Sequence, residues 1–344
     1  MKVTAMEDWI KSRVPTLAKE LTPCVNCPVC NTVRSINLPG QKAIIDTLEM
    51  FISILFPGCH EASPINDSDN SHIETEMRIT KAALQLADQA ARAISYYECN
   101  KPSCNCCGDC KAKAREAVGK LLDNLPTVRK TLEEDLLAAY EGDPAAKSTM
   151  EIVMSYPGFF AITVHRVAHE LEKAGVPIIP RVMSEYAHSK TGIDIHPGAT
   201  IGPGFFIDHG TGVVIGETTE IGDDVTLYQG VTLGGTGKEQ GKRHPTLGNN
   251  VMVSAGAKVL GSFTIGDNSK IGAGSVVLKE VPPNSTVVGV PGIVVKRDNV
   301  RIPREDLDQV HLPNPVMMEI DRLQQENTKL KERLDALSAA VEKK

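Results

Sequence analysis

The sequence is short of aromatic residues, of long apolar runs and of net positive charge. Aromatic residues make up 4% of the chain, with 1 Trp against 28 Gly, which disfavours a bulky aromatic core and favours a thin, turn-rich architecture. The longest apolar run, residues 50–56, is much shorter than the ~20 residues that span a bilayer and lies too far inside the chain for a signal peptide. A net charge of −6 excludes a chain-wide basic surface for nucleic acid. We expect a cytoplasmic globular protein with no membrane or nucleic-acid partner.

Composition divides the chain into modules, and the first of them is predicted to be all-α. All 9 cysteines precede residue 111, Gly, Val and Ile are concentrated between 191 and 295, and heptad-like Leu spacing starts after 315. Before residue 190 the apolar residues recur every three or four positions, which is typical of amphipathic helices. Pro126 is expected to open one helix, and Gly175 to close another that starts near Phe159. We therefore predict an α-helical domain with cysteine clusters at 1–190.

Aliphatic residues repeat with a six-residue period between 191 and 295. They are Ile195, Ile201, Ile207, Ile215, Ile221, Leu227, Leu233, Leu247, Val253, Val259, Ile265, Ile271 and Val277. Glycine follows many of them and permits a tight turn, so each short strand supplies one inward aliphatic and each coil covers the open edge of its neighbour. An ordinary β-sandwich does not hold such a phase over this length. The repeat predicts a left-handed parallel β-helix at 191–295, and hence an α+β chain.

The six-residue period breaks twice, and each break carries a histidine. The step after Ile207 is eight residues long and contains His209, and the step after Leu233 is fourteen residues long and contains His244. A stacked repeat accommodates extra residues only as bulges or loops that face outward, and such loops commonly serve ligands. An acid precedes the first histidine and an arginine precedes the second. The two breaks therefore predict a functional site rather than two unrelated surface turns.

Several motifs between 141 and 295 are specific in combination. They are Gly142-Asp143-Pro144, Asp194-Ile195-His196-Pro197, Asp208-His209-Gly210-Thr211-Gly212, Gly216-Glu217, Gly234-Gly235, Arg243-His244-Pro245, Ala255-Gly256-Ala257, Lys270-Ile271-Gly272-Ala273 and Gly289-Val290-Pro291. This series resembles the serine O-acetyltransferases of the hexapeptide-repeat acyltransferase family. The resemblance implies transfer of an acetyl group from acetyl-CoA to the hydroxyl of L-serine, which gives O-acetylserine in the first step of cysteine biosynthesis. It implies direct transfer in a ternary complex, since no cysteine lies in this module to hold the acetyl group.

The resemblance also implies a set of catalytic residues. A serine hydroxyl is a poor nucleophile until a base withdraws its proton, and His209 is the expected base. Asp194 is the carboxylate expected to orient that imidazole, and His244 is a second catalytic residue expected to polarise the acceptor or stabilise the oxyanion. Asp194 and His209 lie fifteen residues apart. They are expected to meet either on neighbouring faces of one chain or across a subunit boundary.

Binding residues follow from the same resemblance. Arg243 is expected to bind the serine carboxylate through its guanidinium fork, and Asp143 and Asp208 to bind the ammonium group. The positions expected to line coenzyme A are Gly235, Ala255, Lys270 and Ala273. The small residues would let the pantetheine approach the backbone, and the lysine would meet phosphate charge.

Other functions stay open on the sequence alone. One is a sister acyltransferase that uses another alcohol, such as homoserine or a sugar. Another is a metal site similar to that of the hexapeptide carbonic anhydrases, with His196, His209 and His244 as ligands. The third is a purely structural scaffold that carries thiol clusters.

Two cysteine clusters lie in the predicted helical domain. The candidate metal ligands are Cys24, Cys27, Cys30, Cys104, Cys107 and Cys110. Because a reducing cytoplasm disfavours disulfides, these thiols either bind zinc or an iron–sulfur cluster or stay reduced as structural or redox-sensing groups. The first cluster has a spacing similar to that of ferredoxins, but the fourth ligand and the following proline are not where that pattern needs them.

A heptad-like pattern occupies 316–344, after a predicted linker at 296–315. Its apolar positions and single polar core position are Val316, Ile320, Leu323, Asn327, Leu330, Leu334, Leu337 and Val341. The pattern predicts a parallel coiled coil, with a solitary amphipathic helix as the alternative. With a three-fold β-helix attached, we expect a homotrimer or a dimer of trimers. Serine acetyltransferases usually end in an isoleucine that docks into the next enzyme of cysteine synthesis, and the ending Glu342-Lys343-Lys344 argues against that partnership.

Overall fold

The computed structural model describes residues 3–21, 38–59, 71–98, 107–237, 240–298, 300–301, 323–324 and 326–331. Helices precede strands along this part of the chain. They are α1 (Val3–Leu21), α2 (Gln41–Leu55), α3 (Ser71–Glu98), α4 (Cys107–Gly142), α5 (Thr149–Ser155), α6 (Pro157–Lys173) and α7 (Ile179–Thr191). The predicted order, an all-α region followed by a parallel β-helix, is confirmed. None of the described helices is both long enough and apolar enough to cross a membrane.

Short strands form the second part of the fold. They are β1 (Asp194–Ile195), β2 (Thr200–Ile201), β3 (Phe206–Asp208), β4 (Val214–Ile215), β5 (Glu220–Ile221), β6 (Thr226–Tyr228), β7 (Thr232–Gly234), β8 (Thr246–Leu247), β9 (Met252–Val253), β10 (Lys258–Leu260), β11 (Thr264–Ile265), β12 (Lys270–Ile271), β13 (Val276–Val277), β14 (Ser285–Val288), β15 (Ile293–Arg297) and β16 (Val300–Arg301). Sheet A contains β1, β4, β7, β10 and β13, sheet B contains β2, β5, β8 and β11, and sheet C contains the remaining strands. Each coil adds one strand to each sheet in turn, so the sheets form the three faces of a prism.

The prism has three edges, which are named here by the sheets they join. The AB edge includes the turns at 196–199, 216–219 and 261–263 and the loop at 235–245. The BC edge includes the turns at 222–225, 248–251 and 266–269. The CA edge includes the turns at 209–213, 229–231, 254–257 and 272–275.

The repeating aliphatics form the core of the prism, as predicted. All thirteen residues of the six-residue pattern are buried, with at most 8% of their surface exposed. In sheet A, for example, Ile195 pairs with Ile215, which pairs with Leu233. Stacking in parallel register therefore places each aliphatic directly above the next one and buries a continuous column with few aromatic side chains.

A ladder of side-chain amides runs along the BC edge. Asn250, Asn268 and Asn284 all have positive φ angles, of 53°, 56° and 56°. The Asn250 amide donates to Asn268 at 2.9 Å, Asn268 donates to Asn284 at 3.1 Å, and Asn284 donates to Asp298 at 3.0 Å. Asparagine is one of the few residues with a side chain that adopts the left-handed region readily. It therefore fits the backbone conformation of this edge and also supplies the amide for the hydrogen-bonded ladder.

We expect Asn268→Ala to lower the free energy of unfolding by about 1–3 kcal/mol, because alanine loses two amide hydrogen bonds and is strained at positive φ. Asn268→Gly removes the same hydrogen bonds but accepts the backbone conformation, so it should cost less. Urea titration of both variants measures the difference. Equal losses for the two substitutions would show that the backbone conformation contributes nothing.

Packing against the helices fixes the first coil of the prism. Asp135 on α4 and Arg166 on α6 form a buried bidentate ion pair, with nitrogen–oxygen distances of 2.6 and 2.7 Å. The same guanidinium donates to the carbonyls of Ile201 and Gly202, and the Asp135 carboxylate accepts from the amide of Phe205. These hydrogen bonds offset the free-energy cost of removing the two charged groups from water. The helices and the coils consequently share one hydrophobic core.

The prediction that Pro126 begins a helix is wrong. Pro126 lies inside α4, which runs from Cys107 to Gly142. A proline inside a helix removes one backbone hydrogen bond and disfavours the preceding helical turn. Buried residues on both sides of it, including Leu121 and Leu132, pack against neighbouring elements and outweigh that cost. The helix predicted from Phe159 to Gly175 is confirmed as α6, with Gly175 in the left-handed conformation after its end.

The tail and most of the cysteines lie outside the described residues. Residues 301–344 form a unit separate from residues 1–300, and within that tail residues 323–324 and 326–331 are helical. The predicted coiled-coil positions Val316, Ile320, Leu334, Leu337 and Val341 are not among the described residues. The coiled coil therefore stays a prediction.

Candidate active site

His209 stands on a tight turn at the CA edge of the first coil. It follows β3 directly and has a φ of 57°, and Gly210 and Gly212 continue the turn with φ of 86° and 78°. A Cβ on Gly210 would lie 2.4 Å from the side chain of Ile193, so only glycine fits there. The His209 side chain is 75% exposed, and its Nε2 lies 3.8 Å from Oδ1 of Asp208. The turn thus presents an imidazole to solvent beside a carboxylate.

Asp143 faces the same edge from the end of α4. The hydroxyl of Tyr156 donates to Asp143 Oδ2 at 2.5 Å, and the amide of Ala145 donates to Oδ1 at 2.8 Å. The Tyr156 hydrogen bond is the main cause that lowers the pKa of Asp143, and the charge of His209 acts in the same direction. The same bond raises the pKa of Tyr156 to about 12. The hydrogen bond from Tyr156 therefore favours the ionised form of Asp143, and this partner of a predicted site residue was not predicted from the sequence.

Glycine allows the helices to approach this edge. A Cβ on Gly158, at the start of α6, would lie 2.3 Å from the carbonyl oxygen of Ile207, and one on Gly142 would lie 2.8 Å from the ring of Phe206. These contacts bring the end of α4 and the start of α6 against β3. The close approach explains how Asp143, far away in sequence, reaches the neighbourhood of His209.

Asp194 lies on the same edge but does not contact His209 directly. Its backbone amide donates to the carbonyl of Val213, in the turn that follows His209, at 2.9 Å. Its carboxylate lies within 4.8 Å of ligand atoms of Glu185 and His188 on α7. Within the described residues no hydrogen bond or ion pair joins Asp194 to His209. The structure therefore brings the backbones of the predicted pair together, but not their side chains.

His244 is fixed at the AB edge. The amide of Thr218 donates to His244 Nδ1 at 3.1 Å, and its hydroxyl oxygen lies 2.9 Å from the same nitrogen. Burial lowers the pKa of His244, and the neighbouring Arg243 lowers it further. A neutral ring that accepts at Nδ1 carries its proton on Nε2. A Cβ on Gly216 would lie 2.0 Å from this ring, so glycine makes room for it.

Arg243 is oriented by an acid of the preceding coil. Its guanidinium donates to Oε2 of Glu217 at 2.6 Å, and this hydrogen bond is the main cause that lowers the pKa of Glu217. The amides of Arg243 and His244 donate to the hydroxyl oxygen of Thr218 at 3.1 and 3.2 Å. The motif Arg243-His244 is thus held from both sides by Glu217 and Thr218. The role of Glu217 was not predicted.

Of the four positions predicted to line coenzyme A, two lie on the CA edge, one on sheet C and one on the AB edge. Ala255 and Ala273 stack on the CA edge in neighbouring coils, where the amide of Gly274 donates to the Ala255 carbonyl at 2.9 Å. Lys270 is exposed on β12 of sheet C. Gly235 lies at the AB edge, where a Cβ would be 3.1 Å from the carbonyl oxygen of Arg243. Ala255 and Ala273 thus share the edge that carries His209, and Gly235 shares the edge that carries Arg243.

Within one chain the predicted site is in two halves. His209, Asp208, Asp143 and Asp194 belong to the CA edge, and Arg243 and His244 belong to the AB edge. A strand of sheet A separates the two edges in every coil. Among the described residues no hydrogen bond or ion pair joins the side chains of one half to those of the other. An arrangement that uses both needs a second surface to bring them together.

Comparison with known proteins identifies the fold and the family. The family described as "Serine acetyltransferase, N-terminal" matches residues 81–164, and "Bacterial transferase hexapeptide (six repeats)" matches residues 244–279. The serine acetyltransferase of Bacillus pumilus is 53% identical over 213 residues, which are 62% of this chain and 98% of that protein. That of Bacillus subtilis is 51% identical over 215 residues, 62% of this chain and 99% of that protein.

Solved structures agree with these sequence matches. Serine acetyltransferase 1 of Entamoeba histolytica in complex with L-cysteine has a TM-score of 0.62 and 38% identity, covering 70% of this chain and 86% of that one. The Brucella abortus serine acetyltransferase in complex with coenzyme A has a TM-score of 0.51 and 34% identity, covering 72% and 95%. The hexapeptide prism together with these matches identifies the chain as a hexapeptide-repeat acyltransferase. Within that class, this chain belongs to the serine acetyltransferase family.

Proposed function

We propose a mechanism for the serine O-acetyltransferase activity that family membership assigns to this chain. Acetyl-CoA is the acetyl donor, and L-serine is the acceptor. The serine hydroxyl attacks the thioester carbonyl directly while both substrates are bound. The observation that carries the proposal is the pair of histidine turns, one beside carboxylates and one beside a held arginine. A thiol-release assay with acetyl-CoA and serine, homoserine or a sugar tests it, and activity on a sugar but not on serine would overturn it.

His209 is the proposed general base. It takes the proton of the serine hydroxyl as the oxygen attacks the thioester carbonyl, and the tetrahedral intermediate collapses with loss of the coenzyme A thiolate. The imidazolium then returns its proton to that thiolate, so the base is regenerated. The exposed ring on its tight turn is free to reach the substrate. Asp194 is the proposed partner that orients the imidazole, which requires its carboxylate to turn from His188 towards the CA edge.

His244 is proposed to stabilise the oxyanion. Its Nδ1 accepts from Thr218, so Nε2–H remains as a fixed donor. Burial and Arg243 both favour the neutral ring, which suits a hydrogen-bond donor that does not compete with the base for the proton. A preorganised donor of this kind stabilises charge that develops in the transition state.

Serine is proposed to bind between opposite charges. Arg243 would bind the carboxylate, and Glu217 holds the guanidinium in place for it. Asp143 and Asp208 would bind the ammonium group beside His209. Asp143 is kept ionised by Tyr156. L-cysteine has the same amino and carboxyl groups, so the Entamoeba complex with L-cysteine supports recognition of both amino acids by these charges.

The complete site is proposed to form between two copies of the chain. The CA edge supplies the base and the ammonium partners, and the AB edge supplies Arg243 and His244. If the CA edge of one copy packs against the AB edge of the next, the contact is heterologous, and a ring closes with three copies. This arrangement supports the predicted trimer. It also brings Ala255, Ala273 and Lys270 of one copy towards Gly235 of its neighbour, where coenzyme A is proposed to lie along the coils.

We expect Arg243→Ala to raise the KM for serine about 10–100-fold, because a charge-assisted hydrogen bond to the carboxylate is lost. The KM for acetyl-CoA should stay within about twofold. Steady-state kinetics with each substrate varied in turn measures both constants. Arg129→Ala is the matched control, since this exposed arginine pairs with Glu133 on α4 and contacts neither histidine turn. A change confined to the acetyl-CoA constant would show that Arg243 does not bind serine.

A metal on the N-terminal thiols is a separate proposal. The ligands Cys24, Cys27, Cys30 and Cys104 and the side chain of Cys107 lie outside the described residues. Cys110, on α4, is 1% exposed inside the helical core, a placement typical of a cysteine that packs as a small hydrophobic residue. This favours the structural alternative for Cys110, and the other ligands stay predictions. Iron, zinc and sulfide analysis of anaerobically purified protein tests them.

A further inference from the structure

A cavity of about 640 Å³ opens beside the helices, apart from the two histidine turns. It is lined by the end of α6, the loop to α7, the start of α7 and the first turn of the AB edge. Its volume is within the range of small-molecule sites. Neither Arg243 nor His209 lines it. The cavity is therefore a candidate site distinct from the proposed serine site.

Residues of opposite charge line the cavity. Glu172 at the end of α6 has a pKa raised by burial and by the charge of Glu217, and no hydrogen bond or ion pair within the described residues engages its carboxylate. Arg181 on α7 also lines the cavity and bonds to Glu185 through one terminal nitrogen, Nη2. A guanidinium has five donors in all. Glu185 also lines the cavity, so the charged lining consists of the unengaged carboxylate of Glu172 and the exposed Arg181–Glu185 pair, whose guanidinium keeps further donors for a ligand.

Apolar side chains also line the cavity. Val176 is buried, and Pro177, Ile178 and Val182 are half-buried along the same side. Tyr97 from α3 adds an aromatic ring at the rim, with 57% of its surface exposed. A ligand that places an apolar group against these side chains removes both surfaces from water. The cavity is consequently lined both by charged and by apolar residues.

The loop to α7 is held in a strained conformation. Ile178 has φ 66° and ψ −50°, and the amide of Ile179 donates to the carbonyl of Pro177 at 2.7 Å. This is a γ-turn of the rare, strained type, and a β-branched residue with positive φ is unusual in any loop. Such strain persists only where the surroundings hold it, and it tends to occur at ligand sites. Ile178 thus lines the cavity in a backbone conformation that its surroundings must stabilise.

We propose that this cavity binds an α-amino acid with an apolar side chain of the size of leucine or methionine. The ammonium group pairs with Glu172, the carboxylate pairs with Arg181, and the side chain packs against Val176, Ile178 and Val182. His196 lines the cavity and also lies in the field of Glu217, the residue that holds Arg243. An occupant would therefore contact the first turn of the AB edge, the edge that also carries Arg243.

Calorimetric titration of the full chain with L-leucine and with L-methionine tests the proposal. We expect a dissociation constant of about 1 mM or tighter. Glu172→Gln and Arg181→Gln should each weaken binding by about tenfold or more, because each removes one charge-assisted bond, and each should keep the wild-type KM for serine. Isoamylamine, which lacks the carboxylate, and 4-methylpentanoate, which lacks the ammonium group, should bind at least about tenfold more weakly.

Matched controls separate this site from the serine site and from general damage. Glu170→Gln lies two residues away on α6, in a pair with Lys173 outside the cavity, and should bind like the wild type. Arg243→Ala should also keep binding. Absence of binding at 10 mM ligand, about ten times the expected constant, would overturn the proposal. Loss of binding in Arg243→Ala without loss in Glu172→Gln would also overturn it, because the amino acid would then occupy the serine site.

Discussion

Replacement of His209 by asparagine is expected to lower kcat about 10²–10⁴-fold, the range that a general base typically contributes. Asparagine is the informative substitution because His209 has a φ of 57°. Asparagine accepts the left-handed conformation far better than alanine does and has no basic nitrogen. The variant therefore deletes the base while it preserves the turn. Initial rates of thiol release at saturating acetyl-CoA and serine measure the loss.

Two further variants test whether the loss of kcat comes from the missing base. His209→Ala deletes the same base but adds strain to the turn, so it should lose similar activity and unfold at lower temperature than His209→Asn. His72→Asn, on α3 and away from the prism, should keep full activity. Turnover close to that of the wild type in His209→Asn would remove His209 from the mechanism. A rate loss accompanied by loss of assembly would instead assign it a structural role.

The core of the prism could be predicted from sequence because its geometry is local. One coil repeats the same strand and turn, so residues such as Ile215 and Leu233 show their burial through spacing alone. The two breaks in the period likewise marked His209 and His244. The amide ladder was not predicted, although Asn250, Asn268 and Asn284 fall at corresponding positions of successive coils. A search of the polar positions by coil, and not only of the aliphatic ones, would have found it.

The residues that hydrogen-bond to the predicted site residues could not be predicted from spacing in the sequence. Tyr156 meets Asp143 because α6 packs against β3, and Glu217 meets Arg243 because an inserted loop folds back over the preceding coil. Neither contact has a fixed spacing in sequence. The separation of Asp194 and His209 left two arrangements open, and the structure shows their backbones on one edge without a direct contact between the side chains. Packing between distant elements decides such contacts.

Mixed trimers test the proposal that the site forms between the CA edge of one copy and the AB edge of the next. His209→Asn alters only the CA edge, and the double variant Arg243→Ala/His244→Asn alters only the AB edge. Each should be nearly inactive alone. Co-expression with two different affinity tags, followed by purification on both tags, isolates rings that contain both kinds of chain. In a ring of three with head-to-tail contacts, one of the three sites then combines two intact edges, so the mixed rings should recover about a third of wild-type activity.

The opposite pairing supplies the control for this recovery. When all three substitutions are placed on one chain and mixed with wild-type chains, a ring with one wild-type member has no intact site under the shared arrangement. If each site lay within a single chain, that ring would keep one site of three, and the complementing mixture would recover nothing above its parents. Rings with two wild-type members keep one site of three in the shared arrangement and two of three if each site lies within one chain. The second mixture should therefore be less active in the shared arrangement, whereas the complementing mixture is active only in that arrangement. Recovery confined to the second mixture would show that both histidines act within one chain, and the proposed meeting of the CA and AB edges between copies would be wrong.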